Sequence, residues 1–271
     1  SLLIAGAAAA ALTVSLAAPA GVAADTPSAT PQRVDDFQLT DQTRLAQHLY
    51  YFNYVPAVVI MTRTNGTAYS RAASAQLEKL NAAFKDQGVV VWALDSSLAD
   101  SRDAVAAEAK AQGLSVPVLI DEQQLVGESL GVKREGEVFV INPKTWGVTY
   151  RGDISGAEDA VKSLVSGGQA QVIRASLTTA QLGKAIAFPE RDRAAEFAHI
   201  SYSKAVAPIL QEKCVSCHVN GGIGPFAMNS YETIKGFAPM IRETVRTRRM
   251  PPYFADPHIG VFKNDQGLTA E

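Results

Sequence analysis

The chain has 271 residues, of which 47% are hydrophobic and 19% are charged, and its formal net charge at pH 7 is −2. This composition is typical of globular proteins, and the length allows two domains of ordinary size. The nearly balanced charge provides no overall basic field, so it argues against nucleic acid and anionic membrane surfaces as partners.

The first residues are typical of a secretory signal peptide. An apolar, alanine-rich run at 2–18 is followed by Pro19, Gly21 and small residues up to Ala24. A membrane anchor is the alternative, although the run is barely long enough to cross a bilayer. Neither a basic n-region nor an initiator methionine precedes the run, so we expect the sequence to begin inside a signal peptide that covers residues 1–24. The Thr-, Pro- and Ser-rich residues 25–33 predict a linker.

Residues 34–165 show the pattern of an α/β domain, a central sheet flanked by helices. Short apolar runs of the kind buried on both faces of a sheet predict strands. They occur at 56–61, 89–94, 116–121, 137–142 and 148–151. Helical periodicity between these runs predicts helices at 70–87, 100–112 and 125–130, with a further helix at 158–165.

Several short strings in this domain resemble the redoxin branch of the thioredoxin fold, the alkyl hydroperoxide reductase and thiol-specific antioxidant proteins. The strings are DFQLTD at 36–41, NG at 65–66, VPVLID at 116–121, LGV at 130–132, VFVI at 138–141 and YRG at 150–152. The resemblance covers about residues 34–153. It implies a thioredoxin-like fold for this part of the chain.

The same resemblance implies that the catalytic site of the family is degenerate here. Active redoxins carry a reactive cysteine at a helix start after the central strand, where the helix dipole lowers the thiol pKa. Thr67 occupies that position and Ser70 the place of a second cysteine, while Gly136 replaces the family's cis-proline. A hydroxyl ionises too weakly to replace a thiolate and forms no disulfide, so we expect no thiol peroxidase activity. Thr67 and Ser70 are interpreted as helix-capping residues, with binding of some other ligand as the alternative.

Residues 166–195 contain no cluster of metal ligands and are interpreted as a connector with short ordered pieces near Val172 and Phe188. Beyond the connector, both cysteines of the chain fall in one C-x-x-C-H string, formed by Cys214, Cys217 and His218. This spacing is typical of covalent c-type haem attachment, in which two thiols bond the porphyrin and the adjacent imidazole ligates the iron.

Three other interpretations of the string remain open. A thioredoxin-type dithiol is disfavoured because such a pair follows a strand, whereas residues 202–213 are predicted to be helical. A zinc site would need His199 or His258 as a fourth ligand, and neither spacing matches the common zinc patterns. A structural disulfide across two residues would be unusual. One covalent haem c is therefore the predicted cofactor.

Residues 196–271 predict a small, all-α, cytochrome c-like domain. A helix at 202–213 leads to the cysteines, a glycine-rich loop follows at 219–226, and residues 231–249 predict another helix. Three methionines are candidates for the second iron ligand. Met240 is assigned to the core and Met228 follows the haem string closely. Met250 is preferred because Pro251 and Pro252 stiffen its loop and because cytochromes c favour a thioether ligand.

A second resemblance covers about residues 197–271. The string at 248–258, together with the haem string and Gly224-Pro225-Phe226, resembles bacterial secreted proteins that join a redoxin-like domain to a cytochrome c. Some of those proteins continue into a copper-dependent monooxygenase module. The resemblance implies that Met250 is the axial ligand and that a further helix follows residue 271. His258 alone supplies no copper site.

These observations predict an exported, periplasmic or secreted electron-transfer protein. His218 and Met250 would ligate the haem iron, and the degenerate redoxin domain would serve as a docking or structural module. The expected partners are redox proteins. The alternatives are a thioredoxin- or peroxiredoxin-like oxidoreductase and a haem enzyme or sensor with an open iron site. The basic cluster of Arg242, Arg246, Arg248 and Arg249 is interpreted either as a guide for an acidic partner or the haem propionates, or as a solvated face.

Overall fold

The computed structural model describes residues 32–168, 173–174, 182–253, 255, 259–260 and 262–268. The predicted signal peptide, most of the predicted linker, Val172 and His258 lie outside these ranges. Over the described residues, no helix combines the length and the apolar character needed to cross a bilayer.

A six-stranded sheet forms the centre of the N-terminal domain, and its last strand ends at Arg174. Its strands are β3 (Val58–Arg63), β4 (Val90–Asp95), β5 (Val118–Ile120), β6 (Val138–Asn142), β7 (Gly147–Gly152) and β8 (Ile173–Arg174), and they follow a short hairpin of β1 (Gln38–Thr40) and β2 (Ala46–His48). The spatial order is β5-β4-β3-β6-β7-β8. β3, β4 and β5 run parallel, whereas β6 is antiparallel to both β3 and β7.

Helices cover both faces of this sheet. They are α1 (Ala68–Phe84), α2 (Arg102–Gln112), α3 (Leu125–Leu130) and α4 (Ile154–Val165). The side chain of Ser101 caps α2, and Gly113 ends the helix in a left-handed conformation. The predicted α/β domain, a central sheet flanked by helices, is confirmed.

Strand β3 divides the apolar core into two layers. Val59 and Met61 pack with α1, α2 and α4 on one face of the sheet, and Val58 and Ile60 pack on the other face with Trp92 and the apolar side of α3. Successive side chains of a strand point to opposite faces, so a continuous apolar run is buried only when both faces are covered. This arrangement fixes β3 and therefore the loop that follows it.

The second half of the chain contains helices and loops over the described residues. After α5 (Pro189–Asp192), a single π-helical turn at Tyr202–Val206 leads into α6 (Ala207–Lys213). α7 (Tyr231–Gly236) and α8 (Ala238–Arg246) follow. The continuous helix predicted at 231–249 is therefore wrong. Gly236 has a low helix propensity and Pro239 lacks an N–H, so the chain bends at Phe237.

The segment interpreted as a connector is partly built into the first half of the chain. Leu182, Ile186 and Phe188 are buried, and Phe188 lies in the same apolar layer as α3. A Cβ on Gly127 would come within 2.7 Å of the Phe188 ring, so helix and ring are in close contact. The Gln124 side chain also donates to the Ala187 carbonyl at 2.6 Å. Residues 182–188 therefore complete one face of the core.

Replacing Phe188 with alanine tests this packing. A fully buried aromatic side chain contributes to stability through burial and through the cavity left when it is removed, so Phe188→Ala should lower the free energy of unfolding by about 3–5 kcal/mol. Urea unfolding followed by circular dichroism measures the change. Phe197→Ala is the control because Phe197 is exposed. Equal effects of the two substitutions would contradict the assignment of residues 182–188 to the core.

Two charged residues are buried at the carboxyl ends of the central strands. Arg63 ends β3 and Asp95 ends β4, and the two residues are paired in the parallel register. Arg63 donates to Glu108 at 3.2 Å, and Asp95 accepts a bond from the Ser97 N–H at 3.1 Å. Burial raises the pKa of Asp95 to about 7, an effect that the Ser97 N–H opposes and that the nearby Asp100 carboxylate enhances. Asp95 therefore takes up a proton in the folded protein near neutral pH.

This shift predicts how stability depends on pH. Between the ordinary pKa of 3.8 and about 7, the folded state holds a proton on Asp95 that the unfolded state has lost. The contribution of Asp95 to stability therefore decreases as pH rises through this window, and above it the buried charge is a constant penalty. In thermal unfolding, Asp95→Asn should raise the melting temperature relative to the wild type more at pH 8 than at pH 5. The exposed Asp86→Asn is the control, and a difference that is the same at both pH values would refute the argument.

Candidate functional site

The loop after β3 is the position at which a redoxin would carry its reactive cysteine. Thr67 is the N-cap of α1, and its hydroxyl accepts a bond from the Ser70 N–H at 3.0 Å. The predicted capping role of Thr67 is therefore confirmed. Two backbone N–H groups of the loop bind carboxylates, Asn65 to Asp100 at 2.7 Å and Gly66 to Glu108 at 2.6 Å. The amides that precede the helix are thus occupied by side chains of the domain itself.

A buried glutamate, Glu135, organises the rest of this site. Its carboxylate accepts hydrogen bonds from the hydroxyls of Thr64 at 2.6 Å, Thr67 at 2.8 Å and Ser70 at 3.1 Å. Glu135 and Ser70 are fully buried. Ionised carboxylates accept several hydrogen bonds, so three hydroxyl donors offset part of the cost of burying this charge. The hydroxyls that replace the family's thiols are therefore partners of a carboxylate within a closed network.

Sequence analysis did not identify Glu135, although it stands directly before Gly136. The sequence offered one signal for Glu135: it is an acidic residue directly before Gly136, the position that the resemblance aligns with the family's cis-proline. Only the pairing of β3 with β6 shows that this residue faces the loop, because the two segments are 65 or more residues apart.

Gly136 supports the same network in another way. Its φ is +83°, and its N–H donates to the Thr62 carbonyl at 2.7 Å. A Cβ at this position would lie 2.2 Å from the Tyr69 hydroxyl oxygen. The positive φ and the close ring both favour glycine. Gly136 thus leaves room for Tyr69 beside Glu135, where a redoxin would position a thiol substrate.

The second candidate site is formed by the C-x-x-C-H string at the end of α6. Cys214 is the C-cap residue of this helix, and its carbonyl accepts bonds from the N–H groups of Cys217 at 3.2 Å and His218 at 3.0 Å. These contacts hold both cysteines and the histidine on one turn. The predicted site residues Cys214, Cys217 and His218 are therefore brought together by local backbone bonds.

The ring of His218 is buried and fixed in orientation. Nδ1 lies 3.0 Å from the Phe226 carbonyl oxygen, which can only accept, so Nδ1 is the donor of this hydrogen bond. A Cβ on Gly224 would lie 2.6 Å from Nδ1, which means that the glycine-rich loop passes directly against the ring. The Phe226 ring lies 5.0 Å from His218 and stacks on Phe237 at 4.0 Å. The loop therefore fixes the orientation of the imidazole ring.

The environment of the cysteines is unlike that of a catalytic dithiol. Both thiols are free, and burial raises the pKa of Cys214, with the neighbouring Cys217 adding to the shift. Reactive cysteines usually lie at a helix N-terminus, where the dipole lowers the pKa. Here the pair follows a helix C-terminus, where the dipole acts in the opposite direction. This geometry disfavours the thioredoxin-type interpretation of the string.

A zinc site also finds little support in the described residues. Over those residues, no group of three or more His, Cys, Asp or Glu side chains is arranged to hold a metal ion. His199 is exposed, and His258 lies outside the described residues.

The methionines differ in where they lie. Met228 is buried, and its N–H donates to the His218 carbonyl at 2.8 Å. Met240 is half exposed, so its assignment to the core is wrong; α8 turns that residue outward after the bend at Phe237. Met250 follows α8 and is tied to it through its N–H, which donates to the Thr244 carbonyl at 3.0 Å. The contacts described for Met250 do not reach His218, so its role as iron ligand stays a prediction.

Apolar side chains around the haem string are largely uncovered. Over the described residues after Phe188, the large apolar side chains that are buried are those of Leu210 and Met228. Exposed ones are Phe197, Ile200, Val206, Ile209, Val219, Ile223, Tyr231, Met240, Tyr253, Ile259, Phe262 and Leu268. A cleft of about 350 Å³ lies between α6 with its preceding π-helical turn on one side and α7 and α8 on the other. Its walls include Leu210, Ile234 and Ile241. Concave apolar surfaces of this kind are typical of ligand sites.

The basic cluster is mostly engaged within the chain. Arg242 and Arg246 pair with Glu128 on α3, and Arg249 pairs with Glu243. The charges of these three arginines therefore meet carboxylates of the same chain, but Arg242 and Arg249 are still 47% and 60% exposed, so the interpretation as a solvated face or a guide for partners stays a prediction.

Comparison with known proteins identifies the first half of the chain. Residues 31–156 match the AhpC/TSA family. A search of the curated proteins finds no match.

Two solved structures share the fold. A hypothetical protein from Sinorhizobium meliloti has 21% sequence identity and a TM-score of 0.52, and the match covers 59% of this chain and 95% of that one. An uncharacterized conserved protein from Geobacillus kaustophilus has 18% identity and a TM-score of 0.53, with coverage of 59% and 92%. At these identities the likeness is one of fold alone. Together with the flanked central sheet, this likeness shows a thioredoxin-like fold, and the family match supports an AhpC/TSA-like redoxin domain in residues 31–156.

Proposed function

We propose that this protein is an exported electron carrier that binds one haem c covalently through Cys214 and Cys217. His218 Nε2 would be one ligand of the iron and Met250 the other. When bound, a haem with His/Met ligation exchanges single electrons at a relatively high potential without an open position for substrate. The redoxin domain would act as a docking or structural module.

The observation that carries this proposal is the state of His218. The ring is buried and its Nδ1 donates to the Phe226 carbonyl, so Nε2 is the ring nitrogen left for a metal, and the same turn of the backbone carries two free cysteines. Histidines that ligate metals usually donate their other ring nitrogen to a carbonyl or carboxylate in this way. The donor set therefore fits a haem iron, since one thiol pair and one oriented imidazole are what c-type attachment requires.

The missing apolar core around the string supports the same proposal. A segment of this size rarely buries enough apolar surface to be stable by itself, and small domains commonly depend on a bound cofactor or metal. Leu210 and Met228 are buried while many other apolar side chains of this segment stay exposed, and an apolar cleft opens beside Leu210. A porphyrin is a large flat apolar body that would cover such side chains.

The degenerate redoxin site supports a role other than thiol chemistry for the first domain. Thr67 and Ser70 bind Glu135, and the network is closed to solvent at Ser70 and Glu135. We therefore propose redox proteins, recognised outside the cytoplasm, as partners.

A thioredoxin- or peroxiredoxin-like oxidoreductase is the second candidate, and the family match of residues 31–156 favours it. The comparisons bear on this domain and not on the haem string. The candidate needs a reactive thiol, and the two cysteines of the chain both lie in the C-x-x-C-H string. A haem enzyme or sensor is a variant of the leading proposal in which Met250 leaves one iron position open.

Covalent haem attachment is tested with protein produced alongside a c-type maturation system. The wild type should be coloured, should retain its pigment in acidified organic solvent, and should give a pyridine haemochrome spectrum of two thioether links. Cys217→Ser should shift that spectrum to one link, and the double variant Cys214→Ser/Cys217→Ser should lose covalent haem. Ser216→Ala, inside the same string, is the matched control and should behave as the wild type. A colourless wild type would refute the proposal.

Carbon monoxide separates the electron carrier from an open-site haem protein. With Met250 bound to iron, the reduced wild type should bind carbon monoxide weakly, and Met250→Leu should increase binding by about tenfold or more because an axial position is freed. Met240→Leu is the matched control, since Met240 is exposed. Binding by the wild type that equals binding by Met250→Leu would favour the sensor or enzyme.

Thiol-dependent peroxide reduction tests the second candidate. We expect no thiol-dependent consumption of peroxide by the wild type above that of Cys214→Ser/Cys217→Ser, which has no cysteine at all. The rate of hydrogen peroxide consumption is measured in the presence of a dithiol reductant. Activity in the wild type that disappears in the double variant would support the oxidoreductase instead.

A further inference from the structure

We propose that Glu128 is a latch that docks helix α8 on the redoxin domain and thereby positions Met250. This inference rests on the proposed function for its consequence at the iron. The latch itself is an ion-pair contact between residues 114 positions apart, and its existence does not depend on haem.

The side chain of Glu128 is almost completely buried, and both of its ion-pair partners are arginines of α8. Its side chain is 4% exposed, and it pairs with Arg242 and, at 3.5 Å, with Arg246. The two arginines are four residues apart and so lie on the same face of α8. Burial lowers the pKa of Arg242, and the charge of Arg246 adds to the effect. One carboxylate thus offsets the repulsion between two neighbouring cations.

The redoxin side of the contact is rigid. Glu128 lies on α3, where the buried Asp121 carboxylate accepts bonds from the N–H groups of Gly127 at 2.8 Å and Val126 at 3.3 Å. A Cβ on Gly127 would lie 2.6 Å from the Ser96 hydroxyl and 2.7 Å from the Phe188 ring, so the helix is held tightly against the core. A carboxylate on such a helix is a fixed point for anything that binds it.

The other side of the contact leads directly to Met250. The Thr244 carbonyl, within α8, accepts bonds from the N–H groups of Arg249 at 2.8 Å and Met250 at 3.0 Å. Arg249 pairs with Glu243 of the same helix. The chain after α8 is therefore folded back on the helix, and any shift of α8 moves Met250 with it. Glu128 is a positioning residue for this loop.

Removing one member of a buried ion pair leaves an uncompensated charge, whereas an exposed ion pair contributes little to stability. The latch is intermediate, because the side chains of Arg242 and Arg246 are 47% and 23% exposed while that of Glu128 is covered. Glu128→Gln keeps the shape of the side chain and removes the charge. Loss of the latch should therefore release α8 without unfolding the redoxin domain.

Hydrogen–deuterium exchange of the full chain tests the latch without reference to haem. In Glu128→Gln, the amides of residues 238–246 should exchange about tenfold faster than in the wild type, while exchange in β3 and β4 should not change. Glu122→Gln is the matched control, since Glu122 is in the same domain, is 61% exposed and pairs with Arg102 within that domain. Equal exchange in Glu128→Gln and the wild type, or an equal effect of Glu122→Gln, would overturn the proposal.

Arg242→Gln tests the contact from the other side. It should accelerate exchange of α8 as Glu128→Gln does, and the double variant should exchange no faster than the faster single variant, because both substitutions remove the same pair. Additive effects would show that the two residues act separately and would contradict the latch. High ionic strength should accelerate exchange more in the wild type than in Glu128→Gln, since only the wild type has the pair to screen.

The consequence for Met250 has its own measurement. In matured protein, Glu128→Gln should weaken the absorption band of the methionine–ferric iron bond and lower the reduction potential, whereas Glu122→Gln should leave both unchanged. If the protein carries no haem, the proposed function fails and the exchange data still decide the latch. If haem is bound and α8 is released without any change in band or potential, the latch does not position Met250.

Discussion

The complete burial of strand β3 is the constraint on which the first half of this protein depends. Its apolar side chains alternate between two layers of the core, and neighbouring strands bond it on both edges. A strand held in this way cannot shift its register without exposing one whole layer to water. The loop that follows it is therefore placed with little freedom, and this loop carries Thr67 and Ser70 into contact with Glu135.

That contact explains how a redoxin fold persists without its thiols. A cysteine at a helix start is useful because its thiolate is stabilised there and is accessible to substrate. Here the same positions hold hydroxyls that donate to a carboxylate, and Ser70 and Glu135 are closed to solvent. The hydrogen bonds to Glu135 and the capping of α1 by Thr67 both stabilise this loop. The thioredoxin-like fold is thus combined with structural hydrogen bonds at the positions of Thr67 and Ser70.

The described residues after Phe188 are not organised around a buried apolar core of this kind. Over the described residues this segment has short helices and little buried apolar surface, and its best-defined feature is a histidine ring fixed between Gly224 and the Phe226 carbonyl. Such a segment needs other surfaces to complete it. The covered Glu128 provides one such surface on the redoxin domain, and an apolar cleft remains between α6, α7 and α8. Under the proposed function, the redoxin domain would be a rigid support and the segment with the C-x-x-C-H string would hold the redox group.

The sequence by itself determined the features that depend on neighbouring residues. Apolar runs and helical periodicity predicted the strands and helices around the central sheet, and the spacing of Cys214, Cys217 and His218 placed those three side chains on one turn. The sequence also places hydroxyl side chains, Thr67 and Ser70, at the positions where the resemblance expects thiols. The tertiary structure decided what depends on distant segments: Glu135 meets Ser70 across 65 residues, Phe188 completes the core from a predicted connector, and Glu128 meets Arg242 across 114 residues. Local patterns record backbone periodicity and burial, but the partner of a buried charge is chosen by the path of the whole chain.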